Sequence, residues 1–217
     1  MSTSFREHLV LFGGSFNPPH SGHVTALYGL TRNPGVKSAL VVPSFGTPLK
    51  TLAVSFEDRL EMARLAFSHL AEVSDIEGRE RIDFTWQLLE RFRSVHEKIA
   101  FVMGTDQFAA WRSWAQFPRL LGLSDWIVLL RKPNGMETIR AALESFTADG
   151  VIAPSPDPME WNVTGTPRVI RFVETEAPMV SGTRIREALE SGKVGQVQEF
   201  LPEPVLKFIE RKHLYGT

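Results

Sequence analysis

The sequence predicts an α/β fold in which a parallel sheet is flanked by helices on both faces. Short apolar runs of strand length alternate with stretches of helical period along most of the chain. Two of these runs, 99–103 and 126–130, are apolar at every position, which is typical of interior strands covered by helices on each side. This pattern indicates stacked strand–helix units around a parallel sheet. We expect residues 1–217 to form a single domain, because we find no repeat, low-complexity tract or linker.

The first half of the chain contains two predicted strand–helix units. The apolar run 9–12 ends at a pair of glycines, and apolar residues then recur at helical spacing from Val24 to Thr31. The run 38–43 is rich in β-branched residues and is followed by a loop, after which Ser55 begins a loose capping box for a second helix. The apolar face of that helix consists of Phe56, Leu60, Ala63 and Phe67.

The second half of the chain continues the alternation, with one weak segment. Between 132 and 167 the pattern fades, and the prolines of 153–158 exclude a central strand and predict a loop. We assign no chemistry to this segment. The predicted elements of this half are strands 99–103, 126–130 and 169–173 and helices 139–146, 182–191 and 205–214.

The composition excludes several classes of function. The chain has 24 Lys and Arg against 25 Asp and Glu, which argues against a protein that holds a nucleic-acid backbone over a long footprint. The absence of cysteine excludes disulfides and a cysteine nucleophile. The apolar runs are too short to cross a membrane, and Gly13 and Gly14 come before a signal-peptide core could form. We expect a cytoplasmic protein without nucleic-acid or membrane partners.

The most informative segment is 13–23, where the first strand turns into the first helix. Adjacent glycines leave main-chain N–H groups accessible, and the helix N-terminus adds free donors and a positive dipole, which suits polyphosphate. His20 and His23 are at i and i+3, and Gly22 removes a side chain between them. Both imidazoles can therefore lie on one side of the helix start and donate hydrogen bonds to charge that develops on a phosphate. The alternatives are a turn-capping histidine pair or a fragment of a metal site. The glycine spacing indicates neither a dinucleotide-binding dehydrogenase nor a P-loop NTPase.

A second candidate anion site lies at 181–186. Ser181 is a predicted N-cap, yet Arg184 and Arg186 face the positive end of the helix dipole, where acidic residues would be more stable. The hydroxyls of Ser181 and Thr183, the free N–H groups of the turn and the Arg186 guanidinium form a second predicted phosphate cradle. The alternative is a solvent-facing arginine pair on a surface helix.

A third candidate lies at the carboxyl end of the strand 99–103. Gly104 ends the strand, and Asp106 follows it at the same sheet edge as the glycine turn, suited to a ribose hydroxyl, a histidine or hydrated Mg²⁺. Trp111 and Trp114 come next, at i and i+3. Either could stack on a planar ring, and an apolar helix face is an equally good interpretation.

Together these segments resemble a known superfamily. Residues 13–23 resemble the phosphate-binding motif of the nucleotidylyltransferases, and 181–186 resembles the Ser-Thr-x-Ile-Arg element that closes the same site. The order and separation of further segments is similar to that in bacterial nicotinate-nucleotide adenylyltransferases over nearly the whole chain. These segments are Phe84-Thr85, Met103 to Asp106 with Trp114, Val128 to Arg131, Val205 to Ile209 and Leu214-Tyr215.

The resemblance implies a Rossmann-like parallel sheet and a reaction in NAD biosynthesis. In that reaction AMP is transferred from ATP, with Mg²⁺, to nicotinate mononucleotide, which gives deamido-NAD and pyrophosphate without a covalent enzyme intermediate. It implies that His20, His23 and Arg186 are catalytic. The ATP-binding residues it implies are Gly13, Gly14, Ser15, Phe16, His20, His23, Gly104, Asp106, Ser181, Thr183 and Arg186. The mononucleotide-binding residues it implies are Lys50, Thr85, Trp114 and Arg131.

The chain departs from the family pattern at four positions. Asn17 stands where these enzymes usually have Asp, Leu49 replaces the usual His, Phe84 a frequent Tyr and Gly182 a frequent Ser. None of these changes removes a phosphate donor. Three alternatives stay open: an adenylyltransferase for nicotinamide mononucleotide, one for another phosphate acceptor such as phosphopantetheine, and a catalytically silent nucleotide-binding regulator.

Overall fold

The computed structural model describes residues 5, 7–33, 35–36, 38–46, 54–131, 135–178 and 180–217. The strands are β1 (Leu9–Gly14), β2 (Ser38–Pro43), β3 (Glu72–Val73), β4 (Ile99–Gly104), β5 (Asp125–Arg131), β6 (Ile152–Pro154), β7 (Glu160–Val163) and β8 (Val169–Thr175). The helices are α1 (Ser21–Arg32), α2 (Phe56–Phe67), α3 (Ile76–Glu80), α4 (Thr85–Arg93), α5 (Thr105–Ala109), α6 (Phe117–Leu120), α7 (Gly135–Ala148), α8 (Gly182–Glu190) and α9 (Glu203–Arg211). Short 3₁₀ turns cover Trp111–Ser113, Val194–Gln196, Gln198–Phe200 and Leu214–Gly216.

All eight strands join one sheet, in the order β3-β2-β1-β4-β5-β8-β7-β6. The first six strands of this order are parallel to one another. Strand β7 pairs antiparallel with β8, and β6 pairs antiparallel with β7. From β1 the chain builds outward through β2 and β3, then returns to place β4 on the other side of β1. In such a sheet, ligands bind outside the carboxyl ends of the strands at this switch point. The predicted α/β fold is confirmed, with a mixed rather than wholly parallel sheet.

Helices cover both faces of the sheet, and each face has its own core. Val10 and Phe12 of β1 point to the face covered by α1, α2, α8 and α9, while Leu11 points to the face covered by α4 to α7. This alternation follows from the two-residue period of a strand. Because β4 and β5 bury side chains on both faces, their sequences are apolar at every position of 99–103 and 126–130, as predicted.

Three predicted boundaries need correction. The segment 153–158, predicted as a loop, contains the end of β6, and the β6–β7 pair was missed because three- and four-residue strands leave almost no periodic signal. Pro154 is tolerated there because β6 is an edge strand. The helix predicted from 139 begins at Gly135. The last helix ends at Arg211 instead of 214, and His213 then adopts a positive φ of 51°.

The predicted cap of the second helix is confirmed. The Ser55 hydroxyl oxygen accepts a hydrogen bond from the Asp58 main-chain N–H at 3.1 Å.

Within the described ranges, the helices are all too short or too polar to cross a membrane.

Candidate active site

The candidate site lies over the switch point between β1 and β4. Gly13 and Gly14 end β1, and Gly104 ends the neighbouring β4. A Cβ at position 13 would lie 2.6 Å from Cζ of Phe101 on β4, so the Phe101 ring occupies the space that a side chain at position 13 would need. The carboxyl ends of the two strands therefore open towards the loops that carry the predicted ligand-binding residues.

The loop after β1 is held against the core by the buried aromatic ring of Phe16. This residue has a positive φ of 45° and is 1% exposed, and its ring meets the His23 ring edge-on with centroids 5.3 Å apart. The ring also packs edge-on against Phe67 of α2. Phe16 was predicted to bind ATP; its buried side chain limits that role to the main chain.

The two histidines of the loop stack on each other at the start of α1. Their ring centroids are 3.8 Å apart and the rings are inclined by 27°. The His20 main-chain N–H donates to Nδ1 of His23 at 3.3 Å. A Cβ on Gly22 would lie 3.0 Å from the His20 ring, so this glycine makes room for the stack. The predicted placement of both imidazoles together is confirmed.

The surroundings keep both imidazoles neutral near pH 7. Burial, and secondarily the charge of Arg131, lowers the pKa of His20 to about 4. Burial also lowers the pKa of His23 well below its usual value, assisted by His20 and by Arg131. Because Nδ1 of His23 accepts a hydrogen bond, the ring proton lies on Nε2. His23 therefore offers an uncharged N–H donor.

The second predicted cradle is built at the start of α8. The Ser181 hydroxyl oxygen accepts from the Arg184 main-chain N–H at 3.2 Å, which confirms the predicted N-cap. Arg186 donates through Nη1 to the main-chain oxygen of Asn17 at 2.8 Å and through Nη2 to the Thr183 hydroxyl at 3.1 Å. The first turns of α1 and α8 contain no acidic residue. Neither positive dipole end is therefore compensated by a carboxylate of its own first turn.

The two cradles adjoin each other. The bond from Arg186 to Asn17 joins α8 to the loop after β1, and a Cβ on Gly22 would lie 3.5 Å from the Pro178 oxygen. Arg131, at the end of β5, donates to the Val180 oxygen at 3.4 Å and lowers the pKa of both histidines. One cluster of donors and positive charge is thereby assembled from β1, α1, β5 and α8.

The remaining predicted residues lie around this cluster at the sheet edge or on neighbouring elements. Asp106 is exposed in the first turn of α5. Thr85 is the first residue of α4, and Trp114 is half-buried, edge-on to Phe101 with ring centroids 6.2 Å apart. Lys50 lies outside the described residues.

Trp111 is fully buried between Phe108, Phe117 and Trp126. It therefore cannot stack on a ligand, and the core interpretation is correct for this tryptophan.

Sequence reasoning missed a buried arginine beneath the site. Arg59 of α2 is 1% exposed and donates to the main-chain oxygens of Ser15, Ser44 and Phe45 at 2.8, 2.7 and 3.0 Å. It thereby ties the loop after β1 to the loop after β2. One signal was available: position 59 lies on the apolar stripe of α2, three residues after Phe56, where a charge is unexpected.

Tyr215 was missed as well, and no local pattern could have found it. Its hydroxyl donates to Oδ1 of Asn17 at 2.5 Å, across 198 positions of sequence. Both side chains are buried.

A divalent metal has few candidate ligands here. Across the described part of the chain, no group of three or more His, Cys, Asp or Glu side chains is placed to hold a metal ion. Asp106 is an exposed carboxylate at the sheet edge. Mg²⁺ commonly binds through one or two carboxylates and substrate phosphates, an arrangement that such a residue fits.

Comparison with known proteins agrees with the geometry. Residues 11–188 match the family model described as cytidylyltransferase-like. A Desulfatibacillum aliphaticivorans protein named "Probable nicotinate-nucleotide adenylyltransferase" is 30% identical over 95% of this chain and 99% of its own length. An Anaeromyxobacter dehalogenans protein of the same name is 29% identical over 95% of this chain and 96% of its own.

A solved structure shares the fold. Plasmodium falciparum nicotinic acid mononucleotide adenylyltransferase complexed with NaAD superposes with a TM-score of 0.74 at 16% identity, over 96% of this chain and 97% of that one. The family model covers both predicted phosphate cradles, from the end of β1 to α8. The chain therefore belongs to the cytidylyltransferase-like family and, within it, to the nicotinate-nucleotide adenylyltransferases that its sequence resembles.

Proposed function

We propose that the chain transfers AMP from ATP to nicotinate mononucleotide, with release of pyrophosphate. One observation carries the proposal: two helix N-termini, a pair of neutral histidines and Arg186 are held together at the switch point of the sheet. This arrangement suits a polyphosphate, because main-chain N–H groups and helix dipoles favour anions. The names of the relatives support the acceptor.

The ATP phosphates would lie between the two cradles. The main chain of Gly13 to Ser15 and the first turn of α1 supply N–H donors on one side, and Ser181, Thr183 and Arg186 supply donors on the other. His23 donates a hydrogen bond through its Nε2–H, because its tautomer is fixed by the bond that Nδ1 accepts. Because these donors are held before the substrate arrives, they can stabilise the charge that shifts onto phosphate oxygens without rearranging.

The chemistry needs alignment more than a base. An oxygen of the mononucleotide phosphate attacks the α-phosphorus of ATP, a new P–O bond forms, and the bond from the α-phosphorus to the α–β bridging oxygen breaks. The electron pair of that bond leaves with pyrophosphate. Since the nucleophile is already an anion, no side chain has to remove a proton, and neutral histidines can act purely as donors.

Mg²⁺ belongs to this proposal as a companion of ATP. The exposed carboxylate of Asp106 fits a second contact for an ion held mainly by phosphate oxygens. When bound, the ion neutralises phosphate charge.

The nicotinate end of the acceptor is assigned to Thr85 and Trp114, with Lys50 and Arg131 for its phosphate. Thr85 supplies a hydroxyl and a main-chain N–H in the first turn of α4, and Trp114 supplies a partly exposed ring. Arg131 lies close enough to the histidines to lower the pKa of both, which suits a cation between the two reacting phosphates. ATP is an intracellular substrate, so the cytoplasmic location expected from the sequence is part of the same proposal.

Acceptor competition tests the proposal. The purified chain is incubated with ATP, Mg²⁺ and either nicotinate mononucleotide, nicotinamide mononucleotide or phosphopantetheine, and pyrophosphate is measured. We expect the fastest release with nicotinate mononucleotide. Faster pyrophosphate release with another acceptor would show that the chain prefers that acceptor. ATP binding without pyrophosphate release in any mixture would identify a catalytically silent nucleotide-binding protein.

A further inference from the structure

Asn17 is held from two distant parts of the chain. Its side-chain oxygen accepts from the Tyr215 hydroxyl at 2.5 Å, and its main-chain oxygen accepts from Arg186 at 2.8 Å. Asn17 is 5% exposed and Tyr215 is 7% exposed, so water has little access to the contact. The C-terminal turn and α8 therefore meet at one residue of the loop that leads to His20.

The two residues before Asn17 are held by other contacts. Ser15 is held by Arg59 through its main-chain oxygen, and Phe16 is held by its buried ring. Asn17 is the next residue, and His20, which caps α1, follows three positions later. A shift of Asn17 is consequently transmitted to the first turn of α1 and to Arg186, which are both parts of the proposed phosphate site.

The turn that carries Tyr215 is built at an energetic cost. Tyr215 and His213 have φ values of 59° and 51°, a left-handed conformation that side chains other than glycine seldom adopt. The buried ring and the hydrogen bond to Asn17 offset that cost. Burial also raises the pKa of the Tyr215 hydroxyl, so it remains a donor throughout the working pH range.

We propose that Tyr215 is a positioning residue for the ATP-phosphate site, acting through the side chain of Asn17. The proposal deepens the proposed function and rests on it. Removing the hydroxyl leaves the buried Asn17 oxygen without its donor, and the loop then relaxes to satisfy it elsewhere. The consequence falls on ATP, because Asn17 adjoins both phosphate cradles: it accepts from Arg186 and precedes His20 by three positions.

Tyr215→Phe tests the proposal, since it removes one hydroxyl and keeps the ring and the backbone preference. The chain has two tyrosines, and the exposed Tyr28 provides the matched control, Tyr28→Phe. We expect kcat/KM for ATP to fall by about tenfold in Tyr215→Phe, the effect of one buried unpaired acceptor. KM for the mononucleotide is expected to stay within about twofold of the parent value, and Tyr28→Phe to match the parent throughout. The proposal would be overturned if KM for the mononucleotide rose as much as kcat/KM for ATP fell, or if neither constant changed.

A double-variant cycle separates positioning from general stability. If Tyr215 acts through Asn17, then Asn17→Ala and the double variant Asn17→Ala/Tyr215→Phe have the same kcat/KM for ATP. Independent effects, in which the two losses multiply, would contradict the proposed route. The thermal midpoint of each variant is recorded so that partial unfolding at the assay temperature is detected.

Direct binding keeps this proposal distinct from the proposed function. The affinity for a non-hydrolysable ATP analogue is measured by calorimetry in the parent, Tyr28→Phe and Tyr215→Phe chains, without any acceptor. Weaker binding in Tyr215→Phe alone supports the positioning role even if the parent fails to release pyrophosphate with nicotinate mononucleotide. Equal binding in all three chains, together with unchanged kcat/KM for ATP, refutes it.

Discussion

Acidification should destabilise the folded chain through His20. The pKa of this imidazole is lowered from 6.5 to about 4 by burial and by Arg131, and the side chain is almost fully buried. The unfolded chain therefore binds a proton between these two values that the folded chain excludes. A lowered pKa contributes stability that is present above about pH 6.5 and is lost as the pH falls towards 4.

The magnitude follows from the size of the shift. One pKa unit corresponds to about 1.4 kcal/mol, so going from pH 7.5 to pH 5.0 should cost about 2 kcal/mol of the free energy of unfolding through His20 alone. His23 acts in the same direction, because its pKa is also lowered. This cost is a sizeable part of the stability of a typical domain.

The comparison of two proteins isolates the contribution of His20. Urea unfolding is followed by circular dichroism at pH 7.5 and pH 5.0 for the parent chain and for His20→Asn. Asparagine is a good N-cap residue and does not titrate, so groups outside the histidine pair contribute similarly to both chains. We expect the parent to lose about 2 kcal/mol more than the variant between the two pH values. Equal losses would show that the histidine is not held neutral by the fold.

Three further predictions concern His23 and the arginine and glutamate beneath the site. His23→Ala should lower kcat by about 10²-fold or more with little change in thermal midpoint, because one preorganised hydrogen-bond donor is lost. Near-normal turnover would show that His23 has a structural role only. Arg59→Met should lower the free energy of unfolding by about 3 kcal/mol or more, since three part-buried main-chain oxygens lose their donor. Arg64→Met, at a half-exposed position of the same helix, should change it by less than about 1 kcal/mol. Glu77 accepts from the Phe45 N–H, and burial raises its pKa to about 8. In urea unfolding, the parent should therefore lose about 2 kcal/mol more of its free energy of unfolding than Glu77→Gln between pH 6 and pH 8. The same pH dependence in both chains would contradict the raised pKa.

Much of the fold could be predicted because local signals and tertiary structure agree. Strand β2 occupies the predicted residues 38–43, since its β-branched run is bounded by Pro43 and by a polar loop. The strands β4 and β5 are apolar on both faces because helices cover both, so their sequences reveal burial directly. The antiparallel β6–β7 pair carries no such signal, because its strands are short and half-exposed at the sheet edge.

The site was predictable where its residues are close in sequence. His20 and His23 meet across one turn, so their spacing was sufficient. The neutrality of the pair was not predictable, because it depends on burial and on Arg131 at the end of a different strand. The contact between Tyr215 and Asn17 depends on the folded chain bringing its two ends together, which no motif records.

The fate of the individual phosphates of ATP tests the central claim most directly. Parallel reactions contain Mg²⁺, nicotinate mononucleotide and ATP labelled at either the α- or the γ-phosphate, and the labelled products are separated by chromatography. Adenylyl transfer predicts α-label in deamido-NAD and γ-label in pyrophosphate, in equal amounts. Transfer of the γ-label to the mononucleotide, or recovery of all label in ATP, would contradict adenylyl transfer by this chain.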